Sequence, residues 1–169
     1  VQEVSSTLDT IRAMEELSRL DRGDPSLVSF SHRVRQRAEQ EAARVGRRAG
    51  PGDLLSALEN QIRSEIAYVP DPSAYEYVRS PAFLLSVDPR GDCDDHATLA
   101  KAAAWELGFS SPMFLRIGNG SGPDPFSHVL LAIPGSEIGV DGIAYVDSTV
   151  PRDQLPIVLR QNPITYLHR

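Results

Sequence analysis

The chain has 169 residues, a hydrophobic content of 41%, a charged content of 24% and a formal net charge of −6. This length is sufficient for one domain with a buried core. No segment approaches the ~20 consecutive apolar residues of a membrane-spanning helix, and no basic and then apolar signal segment opens the chain. Because residue 1 is Val and not Met, the sequence leaves open a processed start.

The charge is unevenly distributed along the chain. Residues 1–50 contain nine arginines and eight acidic residues, a net charge of +1, whereas residues 51–169 contain eight basic and fifteen acidic residues, a net charge of −7. Proteins that bind nucleic acid usually present a basic face. We therefore expect no nucleic-acid partner and no membrane span.

Three helices are predicted in the first part of the chain. Apolar residues recur at helical spacing in residues 5–21, residues 26–45 and residues 53–67. Pro70 and Pro72 follow the third segment, and two prolines so close together favour an extended connection.

We divide the chain into three parts. Residues 1–50 are expected to form a helical appendage, and residues 51–150 a catalytic core domain. Residues 151–169 show no clear periodicity and are expected to form an irregular C-terminal arm.

Cys93 is the only cysteine, and it lies between a predicted turn and a predicted helix. The turn is Asp88-Pro89-Arg90-Gly91, and the helical segment from Ala97 to Leu107 ends at Gly108. Unpaired N–H groups and the positive dipole end at a helix start favour a thiolate. A lone cysteine with His and Asp elsewhere is the pattern of a nucleophile, although a buried and inert cysteine is the common alternative.

After this helix the apolar period changes from 3.6 to 2. Strands are predicted at residues 113–117, 127–133 and 143–147, and the loop at residues 118–123 is expected to border the site. Helices followed by strands with short connections predict an α+β fold with an antiparallel sheet.

Cys93, His128 and Asp147 form a candidate catalytic set. His128 begins the second predicted strand and Asp147 ends the third. A cysteine nucleophile needs an imidazole that takes its proton, and the imidazole needs a carboxylate on its other nitrogen. Two neighbouring antiparallel strands can present these groups on one side of the sheet.

These residues lie in segments that resemble the transglutaminase-like superfamily in its bacterial and phage-borne forms. The segments match, in order, its cysteine, histidine and aspartate motifs: Gly91-Asp92-Cys93-Asp94-Asp95-His96-Ala97-Thr98-Leu99 followed by Leu107-Gly108, Ser127-His128-Val129, and Tyr145-Val146-Asp147-Ser148-Thr149. The resemblance covers about residues 53–150. It implies a papain-like core, in which a central helix carries Cys93 against an antiparallel sheet, and a catalytic triad of Cys93, His128 and Asp147.

The implied function is cysteine-dependent acyl transfer at an amide, as in a peptidase or amidase that acts on a protein or peptide through a thioester. Whether water or an amine resolves the thioester stays open. The backbone N–H of Cys93 is one candidate oxyanion donor, and Tyr75, Tyr77 and Gln61 are candidates for the second. The alternative function is a structural or adaptor component of a phage virion, in the tail or head–tail region, with other virion proteins as partners. The location is open between a virion and the bacterial cytoplasm.

Asp92, Asp94 and Asp95 surround the cysteine, and their negative charge opposes formation of a thiolate. One interpretation is that Asp94 and Asp95 stabilise the first helical turn and that Asp92 orients the cysteine turn. The other is a calcium site, since the motif resembles that of periplasmic cysteine proteases that require calcium. Three carboxylates fall short of the about six to eight oxygen ligands of calcium. No other cofactor is expected, and His96 is interpreted as a helix-surface or supporting residue.

Overall fold

A computed structural model of the chain describes residues 1–4, 6–72, 76–118, 127–162 and 164–168. Within these ranges the helices are α1 (Thr7–Leu20), α2 (Pro25–Ala43), α3 (Pro51–Glu65), α4 (Pro81–Ser86), α5 (Cys93–Leu107) and α6 (Leu155–Gln161). The strands are β1 (Gln2–Val4), β2 (Ala67–Tyr68), β3 (Glu76–Val78), β4 (Arg90–Gly91), β5 (Met113–Gly118), β6 (His128–Pro134), β7 (Ile143–Val146) and β8 (Ile164–His168).

Local sequence signals explain where the first helices begin. The Ser6 hydroxyl accepts a hydrogen bond from the Asp9 N–H at 3.2 Å, and the Asp24 carboxylate accepts one from the Ser26 N–H at 2.8 Å. Pro25 occupies the first position of α2, where its missing N–H has no intrahelical partner to lose. The three predicted helices are confirmed.

None of the helices in the described ranges is long and apolar enough to cross a membrane.

The main sheet has four antiparallel strands in the order β7-β6-β5-β8. In its register His128 lies opposite Ile117, and Leu131 lies opposite Val146. The prediction of an α+β fold with an antiparallel sheet is confirmed.

The C-terminal part of the chain differs from the irregular arm expected there. Residues 155–161 form α6, and β8 pairs with β5 along its whole length. A helix of seven residues and a strand of five are too short to give a clear periodic signal. The strand depends on pairing with β5, which is not visible in its own sequence.

Helix α5 lies at the centre of the fold and contacts α1, α2, α3, α4 and β6. Leu99 and Ala103 of α5 belong to one buried cluster with α2, α3 and the helix-facing side of the sheet. Ala97 belongs to a second buried cluster with α1, and Cys93 packs against that cluster. Residues 1–50 therefore contribute two helices to the packing around α5, while the boundaries at residues 50 and 150 stay predictions.

A buried ion pair links α1 to α5. Lys101 is only 1% exposed, and its ammonium bonds to the Glu15 carboxylate. The ammonium also lies 4.3 Å from the centre of the Phe114 ring. Burial lowers the pKa of Lys101, and the bond to Glu15 opposes this shift.

Lys101→Met should lower the free energy of unfolding by about 3 kcal/mol, because it leaves the Glu15 carboxylate without its buried partner. Arg19→Met is the matched control, since Arg19 is exposed and contacts the same carboxylate at 3.6 Å. The control should cost less than about 1 kcal/mol. Urea titration measures both values, and equal losses would contradict the role given to Lys101.

Candidate active site

Cys93 is the first residue of α5, as the sequence predicts, and Asp92 is the N-cap. The first regular helical bond joins the His96 N–H to the Asp92 carbonyl at 3.0 Å. The N–H groups before His96 have no carbonyl partner within the helix, and they include that of Cys93. The sulfur atom therefore lies at the positive end of the helix, beside a backbone N–H that has no intrahelical partner.

The Asp95 carboxylate fixes the start of this helix. Asp95 is 0% exposed, and its Oδ1 accepts a hydrogen bond from the Arg79 N–H at 2.6 Å. Its Oδ2 pairs with the Arg79 guanidinium and accepts the Asp92 N–H at 3.3 Å. Burial raises the pKa of Asp95, and the contacts with Arg79 oppose this rise. The same carboxylate thus joins the end of β3 to the first turn of α5.

Gly91 is required by this arrangement. A Cβ atom at Gly91 would lie 2.8 Å from Cγ of Asp95, which is too close for a non-bonded contact. On its other side Gly91 pairs with Tyr68 in the parallel β2–β4 ladder, and its carbonyl accepts the Val69 N–H at 2.8 Å. Gly91, before Cys93, and Asp95, after it, are therefore both needed for this packing.

His128 and Asp147 are hydrogen-bonded to each other. Nε2 of His128 lies 2.6 Å from Oδ2 of Asp147. His128 begins β6, and continuing the β6–β7 register by one pair places Asp147 opposite Leu130. Leu130 shares a face of β6 with His128, so the two polar residues are diagonal neighbours on that face.

The other oxygen of Asp147 is held by the loop that follows β7. Oδ1 accepts hydrogen bonds from the Thr149 N–H at 2.9 Å, the Thr149 hydroxyl at 2.7 Å and the Val150 N–H at 3.1 Å. Burial raises the pKa of Asp147, but the bonds from His128 and Thr149 outweigh burial and lower its pKa below the ordinary value. The carboxylate is therefore ionised and points one oxygen at the imidazole.

Cys93 and Asp147 line the same small pocket, together with His96, Val129, Ser148 and Thr149. Burial raises the pKa of the Cys93 thiol, and the charges of Asp94 and Asp92 raise it further. A hydrogen bond from the Val129 backbone opposes this rise. The acidic neighbours thus act against the helix dipole.

Cys93 and Asp147 line one pocket and Asp147 binds His128, but the structure does not connect all three predicted catalytic residues. Within the described residues, no hydrogen bond joins the Cys93 thiol to the His128 imidazole. Hydrogen bonds between catalytic groups are often long in the absence of substrate and shorten in the reacting complex. The catalytic roles of these residues therefore stay predictions.

His96 is buried in the pocket and does not lie on the helix surface. It is 3% exposed, and its Nδ1 lies 2.8 Å from the Ser148 hydroxyl. Its Nε2 lies close to the Ala67 carbonyl without the geometry of a hydrogen bond. Burial lowers the pKa of His96 to about 4, so the imidazole is neutral near pH 7.

The acidic residues around Cys93 play different parts. Asp92, Asp94 and Asp95 each offer an oxygen within 4.8 Å of the others, but both oxygens of Asp95 are occupied by hydrogen bonds. Oδ1 of Asp92 and Oδ2 of Asp94 are buried, and no donor from the described residues reaches them. The Asp94 carboxyl faces both Asp92 and Glu76, and burial together with Asp92 raises its pKa well above the ordinary value. These free carboxylate oxygens are the ligand type that calcium prefers.

Sequence reasoning did not identify Tyr68, Arg79 or Glu76 as site residues. Tyr68 is half-exposed, its ring centre lies 6.2 Å from that of His96, and burial and the nearby Cys93 raise its pKa. The side chain of Gln61 instead bonds to Arg37 and Glu65. Tyr75 and most of the loop at residues 118–123 lie outside the described residues. Their positions depend on contacts made on folding, since Tyr68 pairs with Gly91, Arg79 binds Asp95 and Glu76 faces Asp94.

No family model and no curated protein sequence matches the chain. Among solved structures, the chain is similar to a candidate protease from Parabacteroides distasonis, with a TM-score of 0.49 and 13% identity over 73% of this chain and 26% of that one. It is also similar to a candidate cysteine protease from Cytophaga hutchinsonii, with a TM-score of 0.38 and 14% identity over 85% of this chain and 51% of that one. The chain therefore spans about a quarter and about half of these two proteins.

Gly91→Ala should lower the free energy of unfolding by about 1 to 3 kcal/mol, because the added methyl group overlaps the Asp95 carboxyl. Gly52→Ala is the control, since Gly52 lies in α3 and an added Cβ there meets nothing within 4 Å. Chemical denaturation checks both variants. A Gly91→Ala protein as stable as the control would contradict the packing described for Asp95.

Proposed function

We propose that the chain is a cysteine-dependent hydrolase that cleaves an amide bond of a protein or peptide through a thioester on Cys93. The observation that best supports this function is the 2.6 Å hydrogen bond between His128 and Asp147, because Asp147 lines the same pocket as Cys93. A buried carboxylate bonded to one imidazole nitrogen leaves the other nitrogen available for proton transfer. That arrangement is what a thiol nucleophile requires.

In the proposed reaction Nδ1 of His128 takes the Cys93 proton, and the sulfur atom attacks the amide carbonyl. A carbon–sulfur bond forms, and the carbon–nitrogen bond breaks as the imidazolium gives its proton to the leaving amine. Water then attacks the thioester, with His128 as base, and releases the acid and the free thiol. Asp147 stabilises the imidazolium in each step.

The oxyanion requires at least two donors. The backbone N–H of Cys93 is one, because it has no helical partner. The Tyr68 hydroxyl is proposed as the second, since Tyr68 lies opposite Gly91 in the strand ladder and the charge of Cys93 acts on its pKa.

His128 is a better base than His96. His96 is on the same helix as Cys93, one turn away, and its Nδ1 is engaged by Ser148. Within the described residues, no carboxylate forms a hydrogen bond to His96, whereas Asp147 forms one to His128. An imidazolium at His96 would be buried without a bonded counter-charge, which is costly.

A calcium ion fits the donor chemistry of the acidic cluster. Asp92, Asp94 and Glu76 would hold it, because the Asp94 carboxyl faces the other two and no donor from the described residues reaches Oδ1 of Asp92 or Oδ2 of Asp94. When bound, the ion would neutralise the charges that raise the pKa of the Cys93 thiol. Backbone carbonyls and water would have to complete its coordination shell.

Transfer to an amine in place of water, and a structural role in a phage virion, stay predictions from the sequence. No contact within the described residues favours either of them over hydrolysis.

Iodoacetamide labelling tests the nucleophile. Cys93 should react faster than a free thiol at neutral pH, and His128→Ala should slow the reaction by about 100-fold, because the thiol loses its base. His32→Ala is the control, since His32 is exposed on α2. Intact-mass spectrometry gives the rates. Equal rates in the wild type and in His128→Ala would refute the catalytic assignment.

Calcium should raise the melting temperature relative to a chelator. At a concentration of 100 times Kd the gain is about 2.7 kcal/mol, which is roughly 5 to 10 °C for a domain of this size. Asp94→Asn should remove the shift, whereas Asp88→Asn, an exposed carboxylate paired with Arg90, should retain it. An unchanged melting temperature of the wild type would exclude the site.

A further inference from the structure

Residues 147–150 form a short irregular loop after β7. Two of its side chains face the site, since the Asp147 carboxylate binds His128 and the Ser148 hydroxyl binds His96. Among the described residues, Oδ1 of Asp147 is bonded to Thr149 and Val150 of the same loop and to no other residue. The direction of the carboxylate therefore depends on the position of the loop as a whole.

Arg63 holds this loop from α3. Its Nη2 donates to the carbonyls of Asp147 and Val150, each at 2.9 Å, and its Nε donates to the Ser148 carbonyl at 3.1 Å. One guanidinium thus engages three carbonyls of four consecutive residues. A planar guanidinium can span several acceptors at fixed angles, whereas the ammonium of lysine is a single point donor.

Glu59, one turn earlier on α3, holds Arg63 in place. It is 3% exposed, and its Oε1 accepts from Nη2 of Arg63 at 3.0 Å. Its Oε2 lies 3.6 Å from Nε of Arg152, which follows the loop. The buried Glu59 carboxylate therefore contacts Arg63, which precedes the loop in the chain, and Arg152, which follows it. These contacts tie both sides of the loop to α3.

We propose that Arg63 is a positioning residue of the active site, which sets the orientation of the Asp147 carboxylate toward His128 by binding the backbone of residues 147–150. Arg63 contacts neither Cys93 nor His128 by any hydrogen bond within the described residues. Its effect on the reaction passes through Asp147. The predicted effect of Arg63 on the reaction rests on the proposed function. Its effect on the orientation of the Asp147 carboxylate does not.

The test compares Arg63→Lys and Arg63→Gln with Arg33→Lys. Arg33 of α2 is a suitable control because it forms an exposed pair at 2.8 Å with Glu65 of α3, the helix that carries Arg63. The structural readout is the low-field NMR resonance of the His128 Nε2 proton, identified by its loss in His128→Gln and Asp147→Asn. The catalytic readout is the rate of Cys93 alkylation by iodoacetamide.

Both Arg63 variants should lose or broaden the Nε2 proton resonance and slow alkylation by between about tenfold and about a hundredfold. Arg33→Lys should retain the resonance and the wild-type rate of alkylation. If Arg63→Gln does not fold, Arg63→Lys decides, because it keeps the positive charge beside Glu59. A retained resonance in Arg63→Lys would overturn the inference. If Cys93 of the wild type is alkylated slowly but the resonance still depends on Arg63, the proposed function is refuted and the positioning role of Arg63 is not.

Discussion

The buried contact between Asp95 and Arg79 determines where Cys93 lies. Asp95 takes the N–H and guanidinium of Arg79 and the N–H of Asp92, so one carboxylate satisfies donors from β3 and from the helix cap. Gly91 must lack a side chain for this carboxylate to fit. Breaking a buried pair of this kind on one side is strongly destabilising. The thiol is therefore held at the first position of α5 by packing that leaves no room for a side chain at Gly91.

The same turn creates an electrostatic conflict. The helix start favours a thiolate, whereas the charges of Asp92 and Asp94 and the burial of Cys93 favour the thiol. Glu76 adds a further carboxylate beside Asp94. A proton on Asp94 or a cation at the proposed site would relieve this conflict. This dependence links the proposed cation site to the proposed nucleophile.

The residue types and their order were sufficient to predict the helix start at Cys93 and the pairing of His128 with Asp147. The apolar periodicities that predict helices and strands depend on local sequence alone. In this chain the helices and the sheet strands form where those periodicities occur. The interior position of His96, the strand β8 and the role of Arg79 could not be predicted, because each depends on a partner far away in the chain. Ser148 lies 52 residues from His96, and the guanidinium of Arg79 reaches Asp95 across 16 residues.

Cleavage itself is the most direct test of the proposed activity. The wild-type protein and its Cys93→Ser variant would be incubated, with calcium present, with a denatured bacterial proteome, and the new amino termini would be identified by mass spectrometry. A hydrolase that depends on Cys93 should generate a reproducible set of new amino termini with the wild type and none above background with the variant. Identical sets of amino termini from the two proteins would contradict a peptidase that uses Cys93.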